Sequence, residues 1–549
     1  MRYTLLALAA LLAPSSALAD TLITNVNGIQ VDPAGKLDRF TGILIGNDGK
    51  VKRVLHGEML KLRDTDVVDA KGATVLPGLI DAHGHVMGLG FGALQLDLTG
   101  TSSLADLQAR LKAYAAANPD ARWIVGRGWN QELWPDQRFP TAADLDVVVA
   151  DRPVVLNRVD GHALVANSAA LTAAGVTAST KSPDGGRIEN GLFVDAAMPL
   201  IESKIPAPTP AEFDAALAKA QQLMLSVGLT GAADMGTGPD DWAAMNRAGR
   251  AGGLNVRLMS YAAGMPAMRV VNGGKPSDWL YGDRLHLGGV KLYSDGALGS
   301  RGAWLKRPYA DQPGTRGLPL LTKDELDAQA LEAGKAGFQI AVHAIGDAAN
   351  LMVLEGLNKA GATANDRRGR LEHAQIVDWN DLALFKRYNI IASMQPTHQT
   401  SDRLMAEKRL GPDRLKGAYA WHSLTDLGVR IAFGSDFPVE SPNPFPGLAA
   451  AVSRQDMNGQ PAGGWIPGER VSFEQALAGF TRGAAYAGFA EGKFGSLEPG
   501  KWADFILVDR DIATVDAKAL ARTQVLETWV AGKKVWSRPA SAVSPERGR

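Results

Sequence analysis

From Leu79 onward the apolar residues fall into short, nearly continuous runs, and the stretches between them carry a helical period. The eight runs are Leu79–His85, Leu229–Asp234, Val256–Tyr261, Val290–Tyr293, Gln339–His343, Arg370–His373, Ile390–Gln395 and Ile431–Asp436. Runs of this length without polar alternation are those of parallel strands buried on both faces. Ala211–Ser226, Lys323–Ala336 and Ala348–Lys359 read as helices between them. Eight β-then-α units predict an α/β fold, a (β/α)8 TIM-type barrel with its working groups at the C-terminal strand ends.

Two surplus strand-like runs, Trp123–Gly126 and Pro153–Leu156, fall in an expected insertion of about residues 101–206, after the first barrel strand. At both chain ends the pattern changes to short β-runs. Thr21–Val26, Thr41–Gly46 and Val51–Leu55 lie on one side, with Asn47-Asp-Gly49 as a hairpin signal. Asp504–Asp509, Val525–Val530 and Lys534–Trp536 lie on the other. Residues 20–78 and 486–538 are therefore expected to build one small composite β-sandwich around a barrel of residues 79–485, with 539–549 as a loose tail.

The first residues add a targeting signal. Met1-Arg2-Tyr3 brings one positive charge, Thr4–Leu12 is a short apolar stretch, and Ala17-Leu-Ala19 matches a small-x-small cleavage site. Residues 1–19 read as a signal peptide cut after Ala19, which predicts a periplasmic or secreted protein. Lys+Arg and Asp+Glu both number 58 in 549 residues. That balance argues against nucleic acid or an anionic membrane as partner once the signal is removed. There is no cysteine, so disulfides, thiolate ligands and a cysteine nucleophile are excluded. A homo-oligomer remains open.

The candidate chemistry sits where the apolar runs stop. The first ends in His83-Gly-His85, two imidazoles that point the same way from a strand. Others end at Lys291, His343, His373 and Asp436. Imidazole and carboxylate are the ligands zinc and similar ions take, and catalytic sites keep a position open for water. In this reading His83 and His85 hold one ion, His343 and His373 a second. Asp436 touches the first ion and its water, whose pKa falls to near 7, and moves the proton. Lys291 fits as a carboxylated lysine, a carbamate bridging two Zn2+, because burial near cations frees its amine.

Pro77-Gly-Leu-Ile-Asp81-Ala-His83-Gly-His85 resembles the first-strand motif of the amidohydrolase superfamily, and Gly434-Ser-Asp436 resembles its eighth-strand aspartate. Leu497-Glu-Pro-Gly500-Lys-Trp-Ala-Asp504 resembles the return to the small β domain. Lys291-Leu-Tyr-Ser-Asp295-Gly296, Gly299-Ser-Arg301-Gly-Ala303 and His343-Ala-Ile-Gly346-Asp347 resemble amidohydrolase family 3, which includes N-substituted formamide deformylase-like proteins. The resemblance covers nearly the whole mature chain. It implies a metal-dependent hydrolase with His83, His85, Lys291, His343, His373 and Asp436 as ligands and Asp436 as general acid/base. The expected reaction is hydrolysis of a non-peptide carbon-nitrogen bond in an amide, formamide or cyclic amide of a small molecule. Deaminase, dipeptidase, esterase or lactonase and isomerase chemistry use the same site. An inactive periplasmic binding protein is the alternative from another class.

Four residues are candidate substrate contacts: Trp129 in an aromatic, glycine-rich stretch of the insertion, His162 after the second surplus run, Asp295 four residues past Lys291, and His398 after the seventh strand. His56, His286 and His422 read as structural, Arg301 as an ion-pair partner, and the glycine run Met87–Gly92 as a flexible connector.

Overall fold

The computed structural model describes residues 19–58, 60, 64–159, 161–361 and 366–539. The signal-peptide stretch before Ala19, and all of the tail but Pro539, lie outside the described residues. The chain divides into two compact units. The first comprises Met1–Gly84, Gln222–Pro239 and Gly249–Arg549; the second comprises His85–Gln221 and Asp240–Ala248. Among the described residues no helix is long and apolar enough to cross a membrane.

Eight parallel strands in chain order form the barrel of the first unit: β1 (Leu79–Gly84), β2 (Leu229–Thr237), β3 (Arg257–Ala263), β4 (Leu285–Tyr293), β5 (Gln339–Ala344), β6 (Arg370–His373), β7 (Ile391–Met394) and β8 (Ile431–Phe433). Every apolar run singled out in the sequence is one of them. The expected helices form too, as Pro210–Ser226, Lys323–Ala336 and Asp347–Lys359. Lys323–Ala336 starts with a capping box in which Thr322 and Glu325 satisfy each other's backbone N–H groups.

Side-chain and loop contacts close the seam between β8 and β1. The Asp436 N–H donates to the His83 carbonyl at 2.7 Å. Ser435 donates to the Asp81 carboxylate from its N–H at 3.0 Å and from its hydroxyl at 2.6 Å. Gly434 has to be glycine here: a Cβ would stand 2.4 Å from Asp81 Oδ1 and 2.6 Å from the His83 nitrogen.

The barrel interior is polar where the strands alternate. Arg370 and Glu372, two apart on β6, both point inward and are fully buried. Arg370 donates to Glu372 Oε1 at 2.7 Å, to Tyr261 on β3 at 2.9 Å and to Ser393 on β7 at 3.0 Å. Buried charges persist only when paired and fully hydrogen-bonded, and this network meets both conditions.

The chain ends meet in one sheet. Thr74–Pro77 pairs parallel with Asn27–Val31 and antiparallel with Phe505–Val508, placing N- and C-terminal strands side by side in a six-stranded sheet. A four-stranded sheet carries Gly42–Ile45 and Val51–Leu55 as an antiparallel pair. Gly49 adopts φ +80 in the turn between them. Ile23, Val51, Val75, Leu497, Phe505 and Trp529 share one buried core. Thr74–Pro77 runs directly into β1, and Arg257 on β3 is paired with Asp504 (Nη2–Oδ1 2.8 Å). The small β domain therefore holds the N-terminal starts of β1 and β3.

The second unit is wider than residues 101–206. Its six-stranded sheet runs Gly186–Glu189, Leu192–Asp195, Ala163–Ala166, Val154–Arg158, Ile124–Trp129 and Leu96–Asp97. The two surplus runs are neighbouring parallel strands in it, with Ile124 opposite Val154. Residues Met87–Gly92, expected as a flexible connector, lie in a helix, Val86–Leu94. Gly90 serves close packing: a Cβ there would meet the Ala216 carbonyl oxygen at 2.0 Å.

Candidate metal centre

Strand geometry brings the polar run-ends together. His83 is the fifth residue of β1, and His85, joined to it through Gly84, stands at the N-cap of the helix Val86–Leu94. Lys291 is on β4, His343 on β5, His373 ends β6, and Asp436 follows β8. His373 and Asp436 have positive φ, +78 and +62. Non-glycine residues rarely hold this conformation, and it is concentrated at functional sites.

The distances are short. His83 Nε2 lies 3.1 Å from Lys291 Nζ and 3.5 Å from Asp436 Oδ1. The His373 ring centroid is 4.6 Å from that of His83 and 4.6 Å from that of His343. His373, His398 and Asp436 offer ligand atoms within 4.8 Å of one another.

The protonation states suit a cation. Burial, then Lys291, pushes His83 down to about 4. Burial and Lys291 push His343 down to about 3. Burial, then the neighbouring imidazoles of His343 and His83, pushes His373 well below the usual value. All three rings are neutral near pH 7, so each has a nitrogen lone pair. Burial lowers the Lys291 ammonium to about 8, which enlarges its free-amine fraction near neutral pH.

Partners on the far side of the rings aim those lone pairs. Burial raises the Glu372 pKa, but Arg370 and His83 outweigh it and keep the carboxyl ionised. Ionised Glu372 accepts from His83 Nδ1 at 2.7 Å, so Nδ1 carries the proton and Nε2 the lone pair. Gln395 Oε1 does the same for His373 Nδ1 at 2.9 Å. Such outer hydrogen bonds fix the tautomer and orientation of metal-binding histidines. His343 Nε2 is buried with no hydrogen-bond partner. Neutral, oriented imidazoles around a carboxylate and a depressed lysine form a donor set that fits divalent metal.

The four candidate substrate contacts fare differently. His398 is drawn in, its Nε2 3.7 Å from Asp436 Oδ2. Asp295 is buried and occupied: its carboxylate accepts the N–H groups of Trp304, Ile345 and Gly346 at 2.8, 3.0 and 2.8 Å. It pins the loop just after His343, and its Oδ1 lies 3.4 Å from His343 Nε2. Burial raises its pKa to about 7 despite those donors. Trp129 is a core residue of the second unit, fully buried near Trp134 with its indole N–H on the Leu156 carbonyl at 2.8 Å. His162 pairs with Asp195 at 2.9 Å, and its side chain is 73% exposed. Arg301 pairs with Asp311 at 2.9 Å.

Glu372, Arg370 and Gln395 escaped sequence reading. The signal for the first two was present in Arg370-Leu-Glu372, opposite charges two apart inside a buried strand.

A closed parallel barrel with histidines, a lysine and an aspartate at its C-terminal rim defines a class of metal-dependent hydrolases. Residues 66–536 match the amidohydrolase family, and the chain belongs to that family, in its family 3 branch. It is 33% identical to Protein LONG AFTER FAR-RED 3 of Arabidopsis thaliana, covering 96% of this chain and 94% of the relative. It is 29% identical to N-substituted formamide deformylase of Arthrobacter pascens over 95% and 99% of the two chains. Among solved structures, an uncharacterized metal-dependent hydrolase from Pyrococcus furiosus superposes with a TM-score of 0.77 at 30% identity, covering 90% of this chain and all of that one.

Proposed function

We propose that this protein is an exported hydrolase that cleaves a non-peptide carbon-nitrogen bond, in a formamide, other amide or cyclic amide of a small molecule. His83, His85, His343, His373, Asp436 and Lys291 as its carbamate would hold two zinc ions. The observation that carries this reading is the convergence of neutral, oriented imidazoles with Lys291 and Asp436 at one end of the barrel. The name of the Arthrobacter pascens relative, a formamide deformylase, favours amides over esters. Export rests on residues 1–19 alone.

Divalent ions at such a site supply Lewis acidity and lower the pKa of water. The chain's own residues do the rest. Asp436 takes a proton from the attacking water and delivers it to the departing nitrogen. Glu372 keeps the His83 Nε2 lone pair facing the site. The Lys291 ammonium would lose one proton to become an amine, and the amine would add carbon dioxide and release a second, replacing a repulsive cation with an anionic ligand.

The test is metal analysis of the purified protein followed by a screen of N-substituted formamides, N-acyl amino acids and cyclic amides, with zinc and bicarbonate supplied. Amide turnover abolished by a chelator is expected. Ester or deaminase turnover exceeding amide turnover would sink the proposal.

A further inference from the structure

One histidine of the site is not in the set proposed to hold metal, and its hydrogen bonding defines its chemistry. We propose that His398 is a catalytic hydrogen-bond donor, with its Nε2–H directed at the scissile carbonyl oxygen of the substrate. This rests on the carbon-nitrogen hydrolysis reading above and deepens it.

His398 lies in the first turn of the helix Pro396–Leu410, immediately after β7, and is buried. Its Nδ1 stands 3.1 Å from Gln375 Nε2. An amide nitrogen only donates, so Nδ1 is the acceptor, and the proton of the neutral ring sits on Nε2. Gln375 is held at its backbone, where its main-chain carbonyl accepts the Tyr419 N–H at 2.6 Å. The Nε2 atom is buried without a hydrogen-bond partner. Its 3.7 Å approach to Asp436 Oδ2 is too long for a hydrogen bond.

Burying a donor with nothing to donate to costs about 1–3 kcal/mol. An acceptor oxygen arriving with substrate would relieve that cost. The donor stands beside the carboxylate that moves the proton, 3.7 Å away, so both groups can reach one reacting carbonyl. Proximity alone would also allow His398 to ligate metal, since its ligand atom lies within 4.8 Å of those of His373 and Asp436. The tautomer argues against this, because a metal needs the lone pair and Nε2 carries hydrogen.

The balanced reaction is R–CO–NH–R′ + H2O → R–COO⁻ + R′–NH3⁺. The water oxygen bonds to carbon, the carbonyl oxygen gains charge, and the C–N bond breaks with its electron pair on nitrogen. Asp436 shuttles a proton to that nitrogen. His398 keeps its own proton and supplies only a hydrogen bond to the charged oxygen. Removing one such donor typically lowers kcat by about 10²–10³.

Two kinds of measurement decide it. In nitrogen-15 NMR of histidine-labelled full-length protein, with the His398 signals identified by their loss in His398→Ala, the Nε2–H tautomer is expected. The Nδ1–H tautomer would overturn the proposal. In kinetics on the best amide found by the screen, His398→Leu should lower kcat by about 10²–10³, with KM changed less than about threefold and metal content unchanged. His398→Asn should recover at least about tenfold by restoring a donor. Loss of a bound ion from His398→Leu, or a raised KM at full kcat, would refute it. If the wild-type protein hydrolyses no amide, the function proposed above fails. The donor is then judged on the tautomer and on formate binding, which His398→Leu should weaken about tenfold and which, if unchanged, would also overturn it.

Discussion

Glu372 Oε2 accepts a hydrogen bond from His83 Nδ1 at 2.7 Å, with both side chains fully buried. The same carboxylate takes Arg370 on its other oxygen. One acidic side chain thus joins the charged interior of the barrel to the first histidine of the rim. Glu372→Gln should lower metal affinity or turnover by about 10–100-fold, as loss of a ligand-orienting partner usually does. It also strips Arg370 of its counter-charge, which should destabilise the fold by about 3–5 kcal/mol. Metal titration and calorimetry on the same variant check both effects. An unchanged metal affinity would remove Glu372 from the site.

Asp436 forms part of the β8–β1 seam through its backbone N–H rather than its side chain. Asp436→Asn should therefore keep the fold while kcat falls by about 10²–10⁴. Circular dichroism and steady-state kinetics test the pair of outcomes. A variant holding more than about a tenth of the wild-type rate would relieve Asp436 of the proton transfer.

Trp129→Phe separates packing from recognition. It keeps the aromatic bulk and removes the bond to the Leu156 carbonyl, for a loss of about 1 kcal/mol and an unchanged KM. Trp129→Ala should cost about 3–5 kcal/mol, as expected for an emptied aromatic core position. A KM raised by the phenylalanine variant would return this residue to the substrate pocket.

Metal removal should be visible in stability as well as rate. Ions held at about 1,000 times their dissociation constant add about 4 kcal/mol to the folded state. Dialysis against a chelator should lower the melting temperature, and zinc should restore it. A melting temperature indifferent to both would argue that the donors bind no ion tightly.

Glu498 supplies an acid-sensitive tie in the first unit. Partial burial raises its pKa, yet Lys501 and Arg482 outweigh that and hold it at about 2, against 4.5 for the free side chain. A depressed folded-state value stabilises above the unfolded pKa and is lost as pH falls toward the folded one. The stability difference between the wild type and Glu498→Gln should be constant above about pH 5 and shrink between about 4.5 and 2. Denaturant titrations across that range read it. A difference that does not change with pH would mean that Glu498 acts through shape alone.

The barrel was legible because most of its strands are short apolar runs, so that Ile431–Phe433 stands out even at three residues; β6, with buried Arg370 and Glu372, is the exception. The six candidate donors stood out because each lies at or near the end of such a run. Glu372 was not, because its role depends on a partner 289 residues away, and no local pattern reports a pairing between strands. Trp129 misled for the opposite reason: glycines and aromatics together resemble a pocket rim, while what they serve here is the core of the second unit. Asp295 stands close in sequence to Lys291, but three backbone N–H groups had already claimed it.

The bond from the Asp436 N–H to the His83 carbonyl joins residues 353 positions apart. The barrel's last seam and its reactive rim are therefore the same piece of architecture. A chain still short of Asp436 lacks the seam together with the residue proposed to carry the proton and to complete the metal site. Competence should thus appear in a single step late in synthesis, with no partly active precursor before it.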